Sequence, residues 1–211
     1  MNNIWFTSDE HFGHANIIKF CNRPFANIEE TREAIIENHN KLVKPGDLVY
    51  HLGDMFWRTT PLEEARSIRL RLTGQHYYIF GNHEELIQHN KNLSSLFIWC
   101  RETENLHISG YPNIWLSHYA HRVWNGSHRG AYHLYGHTHA VLPEDGSLSF
   151  DVGVDAQDYK PISLEQVHEK MQLKLLTNGE GKFSCICGQS FTDKYRAMAI
   201  CNQCGKIMER A

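Results

Sequence analysis

Residues 3–14 read Asn-Ile-Trp-Phe-Thr-Ser-Asp-Glu-His-Phe-Gly-His. Asn3 to Thr7 is apolar and aromatic, which suits a buried strand, and it opens at once into a polar loop carrying Asp9, His11 and His14. The pattern recurs. Asp47 to Leu52 reads as a strand running into Gly53-Asp54, and Tyr77 to Phe80 as one ending at Gly81-Asn82-His83-Glu84. Ile114 to Ser117 leads to His118, and His133 to Tyr135 leads to Gly136-His137-Thr138-His139. Layered folds of strands and helices place their ligands at strand ends in this way.

Helices fill the intervals. Ala15 to Phe20 looks helical. Asn27 with Glu30 resembles a capping box, followed by an apolar face of Ile28, Ile35, Ile36, Leu42 and Val43 that Pro45-Gly46 ends. Thr60-Pro61-Leu62-Glu63 is a helix start, with Gly74 as its stop. Ser147 to Val152 reads as a further strand and Ser163 to Leu173 as a helix. The alternation indicates an α/β fold.

At 211 residues the chain can bury one substantial core with room for a small appendage. A net charge of -3 argues against general coating of nucleic acid and against attraction to membranes. No apolar run approaches the ~18 residues of a spanning helix, and the N-terminal stretch lacks a signal-peptide pattern. These features lead to the expectation of a soluble, cytoplasmic protein. The six cysteines are unevenly spread: Cys21 and Cys100 are isolated, as buried thiols are, while Cys185, Cys187, Cys201 and Cys204 crowd the end. Gly179 to Gly181 reads as a linker between a body, residues 1–178, and a basic module, residues 182–211.

Asp9, Asp54, Asn82 and the histidines supply carboxylate, carbonyl and imidazole donors, a set suited to a pair of divalent ions. Two such ions ~3.5–4 Å apart neutralise phosphoryl oxygens and deprotonate a bridging water, which is what a phosphate ester needs for hydrolysis. The glycines before Asp54, Asn82 and His137 are expected to let the chain turn sharply off each strand.

The five blocks, in this order over roughly residues 4 to 155, resemble the calcineurin-like metallophosphoesterase superfamily. The closer similarity is to its small bacterial and phage phosphoesterases, which begin much like WFTSDEHFGHANIIKFCNRPF and share the LYGHTH and DVGVD segments. The resemblance implies a β-sandwich flanked by helices (αββα). It implies a first metal on Asp9, His11 and His139, a second on Asn82, His118 and His137, and Asp54 as the bridge. It implies that His83 binds the phosphate and protonates the leaving oxygen. Manganese is the expected ion, with iron, zinc, nickel or cobalt as alternatives.

One block departs from the related protein phosphatases. There it reads GD-x-x-D-R-G, with the second Asp orienting the catalytic His; here Trp57 stands in that Asp position. Phe80 stands where those phosphatases place Arg before GNHE. Both departures count against a phosphoserine or phosphothreonine phosphatase. The phosphate-binding cations must then come from elsewhere: Arg122 first, then Arg23 and Arg58, with His14 lining the pocket or acting as a cap. Trp57, Tyr119 and Trp124 either stack a nucleobase or serve as packing, and His51 reads as structural.

The C-terminal cysteines resemble a zinc ribbon, with Cys185, Cys187, Cys201 and Cys204 around one structural zinc. The expected substrate is a phosphate ester, small and nucleotide-like. The alternative is a nuclease with the ribbon on nucleic acid, and the third reading is a non-catalytic phosphate-binding module.

Overall fold

The computed structural model describes residues 2–178 and the strand segments 182–184, 190–192, 199–200 and 207–210. In chain order the body contains β1 (Ile4–Thr7), α1 (Ile17–Phe20), α2 (Ile28–Leu42), β2 (Leu48–His51), α3 (Leu62–Arg71) and β3 (Gln75–Ile79). Then come α4 (Glu85–Gln88), α5 (Lys91–Ser94), β4 (Cys100–Arg101), β5 (Thr103–Leu106), β6 (Ile114–Ser117), β7 (Tyr132–Tyr135), β8 (Ser149–Asp151), β9 (Ile162–Ser163) and α6 (Leu164–Asn178).

Two sheets form. The first has the order β4-β3-β2-β1-β9, parallel throughout except for β9. The second has the order β5-β6-β7-β8, with only β5 antiparallel to its neighbour. Alternation along each strand decides what each face buries. Phe6, Tyr50, Leu52 and Ile79 share one core with Leu116, Leu134, Phe150 and Val152, and α6 adds Leu164, Val167 and Met171. Tyr78 points the other way, into a second core with Ile35 and Ile36 of α2 and Ala65 and Ile68 of α3. The result is the expected α/β sandwich of two sheets flanked by helices.

Local details differ from the sequence expectations. The capping of α2 is asymmetric: Asn27 Oδ1 accepts from the Glu30 amide at 2.8 Å, but Glu30 Oε2 accepts from Ala26, one residue before the cap. Pro61 is the N-cap of α3 instead of its first residue, and the helix ends at Arg71, before Gly74. Strands β4, β5 and β9 carry no apolar alternation; they form because a neighbouring strand offers unpaired backbone groups.

Beyond the body, β10 (Lys182–Ser184), β11 (Ser190–Thr192), β12 (Ala199–Ile200) and β13 (Ile207–Arg210) make an antiparallel sheet in the order β11-β10-β13-β12. The expected zinc ligands Cys185, Cys187, Cys201 and Cys204 lie outside the described residues. No helix among the described residues is long and apolar enough to cross a membrane.

Candidate metal centre

The motifs leave β1, β2, β3, β6 and β7 at one end of the sandwich. Five of their residues take left-handed backbone: Asp9 (φ 60°), His11 (54°), Asp54 (55°), His137 (66°) and His139 (46°). Such conformations cost non-glycine residues about 1–3 kcal/mol each, so the surroundings must enforce them. They do. The Asp9 amide donates to the Gly53 carbonyl and the His11 amide to the Asp54 carbonyl, both at 3.0 Å. Asp9 Oδ2 accepts from the His137 amide at 2.8 Å, and Asp54 Oδ1 from the His83 amide at 3.0 Å. Glu84 Oε1 gathers the Asp54 amide, the Gly81 amide and the Tyr78 hydroxyl, and burial pushes its carboxyl up. Asp151 Oδ2 holds the last loop through Thr138 Oγ1 and the Ala140 amide.

The glycines act differently from one another. Gly53 has φ +100° and does turn the chain as expected. Gly81 and Gly136 are needed for close approach: a Cβ would sit 2.2 Å from Asp54 Oδ1 at the first and 2.0 Å from Ser8 Oγ at the second.

The motif residues form two candidate ligand groups. Asp9, His11 and His139 form one, and Asp54, His118 and His137 the other, with the ligand atoms of each within 4.8 Å of one another. Asp54 Oδ2 lies 3.8 Å from His11 Nε2 and 3.6 Å from His118 Nε2. These separations exceed a hydrogen bond. They approach the ~3–3.5 Å expected between two donors on one ion at bond lengths of about 2.0–2.2 Å.

The donors' partners agree. Asp9 Oδ1 and both ring nitrogens of His11 are buried with no hydrogen-bond partner among the described residues. His118 Nδ1 donates to the Leu52 carbonyl at 2.7 Å, so in the neutral ring Nε2 carries a lone pair, and that lone pair faces Asn82 Oδ1 at 3.0 Å. Two acceptors set against each other call for a cation between them. Burial, then the Asp54 charge, raises the Asp9 carboxyl well above its ordinary range. Burial, then His139, drives His11 well down. A bound divalent ion reverses the balance for the carboxylate and prefers the neutral imidazole. The residues fit divalent metal.

A family profile for the calcineurin-like phosphoesterases matches residues 3–141. The chain belongs to the calcineurin-like phosphoesterase family. It is a metal-dependent phosphoric ester hydrolase. The chain is similar to an uncharacterized protein of Methanocaldococcus jannaschii, 33% identical over 186 residues that cover 85% of this chain and 94% of that protein. It is also similar to the gene 66 protein of Mycobacterium phage D29, 28% identical over 195 residues that cover 80% and 96%. Among solved structures, a protein of unknown function from Aquifex aeolicus superposes with a TM-score of 0.64 at 25% identity, covering 81% of this chain and all of that one.

In this phosphoesterase a cavity of about 760 Å³ opens over the ligands. His83 and His14 line it. The Trp57 ring lies 4.6 Å from that of His83 and stacks on His14 at 3.7 Å, so the residue in place of the phosphatase Asp touches His83 by ring packing. Trp124 is core packing, its Nε1 bonded to the Ala131 carbonyl. His51 is buried between Glu10 and His76, behind the Asp9 loop.

The three arginines do not take the expected places. Arg23 is buried; it donates to both Asp155 oxygens and to the carbonyls of Asp9 and Glu10, which leaves it as a clamp behind the metal loop. Arg58 is exposed over Trp57, and Arg122 is exposed and outside the cavity lining. Asp155 was not a sequence candidate. Its Oδ2 accepts from His139 Nδ1 at 2.7 Å, which turns His139 Nε2 toward Asp9. Burial alone would raise the Asp155 carboxyl, but bonds from His139 and Arg23 outweigh it and hold it below the usual value. The DVGVD segment was the available signal, without a role attached to its last residue.

Proposed function

We propose that this phosphoesterase holds two divalent ions, one on Asp9, His11 and His139 and the other on Asn82, His118 and His137, with Asp54 shared between them. Its substrate is a phosphomonoester or phosphodiester of a small, nucleotide-like molecule. The observation that supports this best is the meeting of the two ligand groups at Asp54 Oδ2, with buried, unpartnered donor atoms on Asp9 and His11. Bound ions would supply charge neutralisation at the phosphoryl oxygens and a more acidic water.

The chain's own residues do the rest. His83 belongs to neither ligand group, lines the cavity, and is tied to Asp54 through its amide. It gives its proton to the alcohol oxygen as the P–O bond breaks and water oxygen joins phosphorus. Asp155 and the Leu52 carbonyl fix the tautomers of His139 and His118, so each presents Nε2 to the site. Manganese is the ion proposed, and the donor set also accepts iron, zinc, nickel or cobalt. A structural zinc on Cys185, Cys187, Cys201 and Cys204 completes the proposal.

Chelation by EDTA should abolish hydrolysis of a chromogenic phosphate ester, and Mn²⁺ should restore it, with two ions bound per body. Asp54→Asn should weaken both ions because the shared ligand loses its charge. Full activity in protein shown to be metal-free would refute the reading.

A further inference from the structure

The cavity over the ligands has two unlike halves. One is the metal-ligand side with His83. The other is apolar: Ile17, Phe20, Trp57, Val141 and Leu142. Phe20 is 71% exposed, Val141 81% and Leu142 46%, and three large apolar side chains at one mouth are more than scattered surface hydrophobics. The chain places the last two there against a backbone preference, since Ala140, directly before Val141, has φ 62°. The wall is continuous: the Phe20 ring lies 6.0 Å from His14, His14 stacks on Trp57 at 3.7 Å and 6°, and Trp57 lies 4.6 Å from His83. It thus runs up to the assigned proton donor.

Charge points the same way. No Lys or Arg among the described residues lines this cavity. Arg23 is spent on Asp155 and two carbonyls. Dianionic monoesters and polyphosphates are usually met by fixed guanidinium or ammonium groups, whereas a diester carries a single charge. We infer that the apolar half is a subsite for an aromatic or apolar ester group, and that the enzyme selects small phosphodiesters bearing such a group over phosphomonoesters. This rests on the phosphoester reading above. Water adds to phosphorus and releases a proton to solvent, the bond to the apolar alcohol breaks with a proton from His83, and the product monoester finds no guanidinium or ammonium group in the cavity lining to hold its second charge.

The test is binding and turnover on Mn²⁺-loaded protein. Diphenyl phosphate should bind roughly 10–100-fold more tightly than dimethyl phosphate, the range for burying one large apolar group. It should also outbind phenyl phosphate; calorimetry or tryptophan fluorescence reads both. In the double variant Phe20→Ala/Leu142→Ala the diphenyl-to-dimethyl ratio should fall about tenfold or more. Val123→Ala, at a site 75% exposed but outside the cavity, should leave the ratio unchanged. Bis(p-nitrophenyl) phosphate should exceed p-nitrophenyl phosphate in kcat/KM. Equal affinity for the two diesters, an unaltered ratio in the double variant, or preferred hydrolysis of the monoester overturns this inference and leaves the phosphoester reading standing. Hydrolysis of neither ester by the metal-loaded protein overturns both.

Discussion

Replacing Asp155 by Asn removes one charge and no volume, and the site gives a magnitude for the loss. The carboxylate accepts three hydrogen bonds: Arg23 Nε on Oδ1, and Arg23 Nη2 and His139 Nδ1 on Oδ2, at 2.8, 2.8 and 2.7 Å. The Asn amide has one acceptor oxygen, so in either orientation its NH₂ faces a donor. The guanidinium, 0% exposed, loses its counter-ion. Removing one partner of a buried pair costs about 3–5 kcal/mol. The carbonyls of Asp9 and Glu10 still hold Arg23, which favours the lower end. For a domain of this size about 3 kcal/mol corresponds to a fall in Tm of roughly 6–12 °C. His139 is then free to rotate or change tautomer, and loss of such a partner weakens metal affinity by about 10–100-fold. Differential scanning calorimetry and a Mn²⁺ titration check both effects. A Tm within about 2 °C of the parent, combined with unchanged metal affinity, would refute the assignment of Asp155 as the residue that orients His139.

Three further outcomes are expected. His83→Ala should keep its metal content but lose roughly 10²–10⁴-fold in rate on an alkyl ester, and less on a p-nitrophenyl ester whose leaving group scarcely needs a proton; a metal-free variant would show that His83 is a ligand. Burial holds His133 down to about 3, so below its ordinary value near 6.5 the unfolded chain takes up a proton that the folded chain refuses. His133→Gln removes that penalty. Its stability deficit against the parent, measured in urea, should shrink by about 1.4 kcal/mol per pH unit between about pH 6.5 and 3, and a constant gap would contradict it. Cys201→Ser should lower the zinc content by about one ion per chain while hydrolysis of a small chromogenic ester continues; an unchanged zinc count would dissociate that cysteine from any zinc site.

The candidate metal ligands stand out in the sequence because the constraints on them are local. Metal chemistry admits few side chains, and each must stand where a buried strand gives way to a loop. Asp9, Asp54, Asn82 and His137 each announce themselves by type and by the apolar run before them. The alternation of β1, β2 and β3 with helices likewise indicates layers, since a strand with apolar residues along its length must be covered on both faces.

What only the tertiary structure decided are relations between distant positions. Arg23 lies 132 residues from Asp155, and nothing local distinguishes an arginine that will clamp a loop from one that will face a phosphate. The need for glycine at 136 comes from Ser8 and Asp9 arriving beside it, not from its own backbone angles. Trp57 was legible as a departure from a motif, but its stack on His14 and its contact with His83 were not. Residue type determines what a side chain can bind; the fold determines which partner comes within reach, because hydrogen bonds, ion pairs and ring contacts act over only a few ångströms while the chain between them is free to run anywhere.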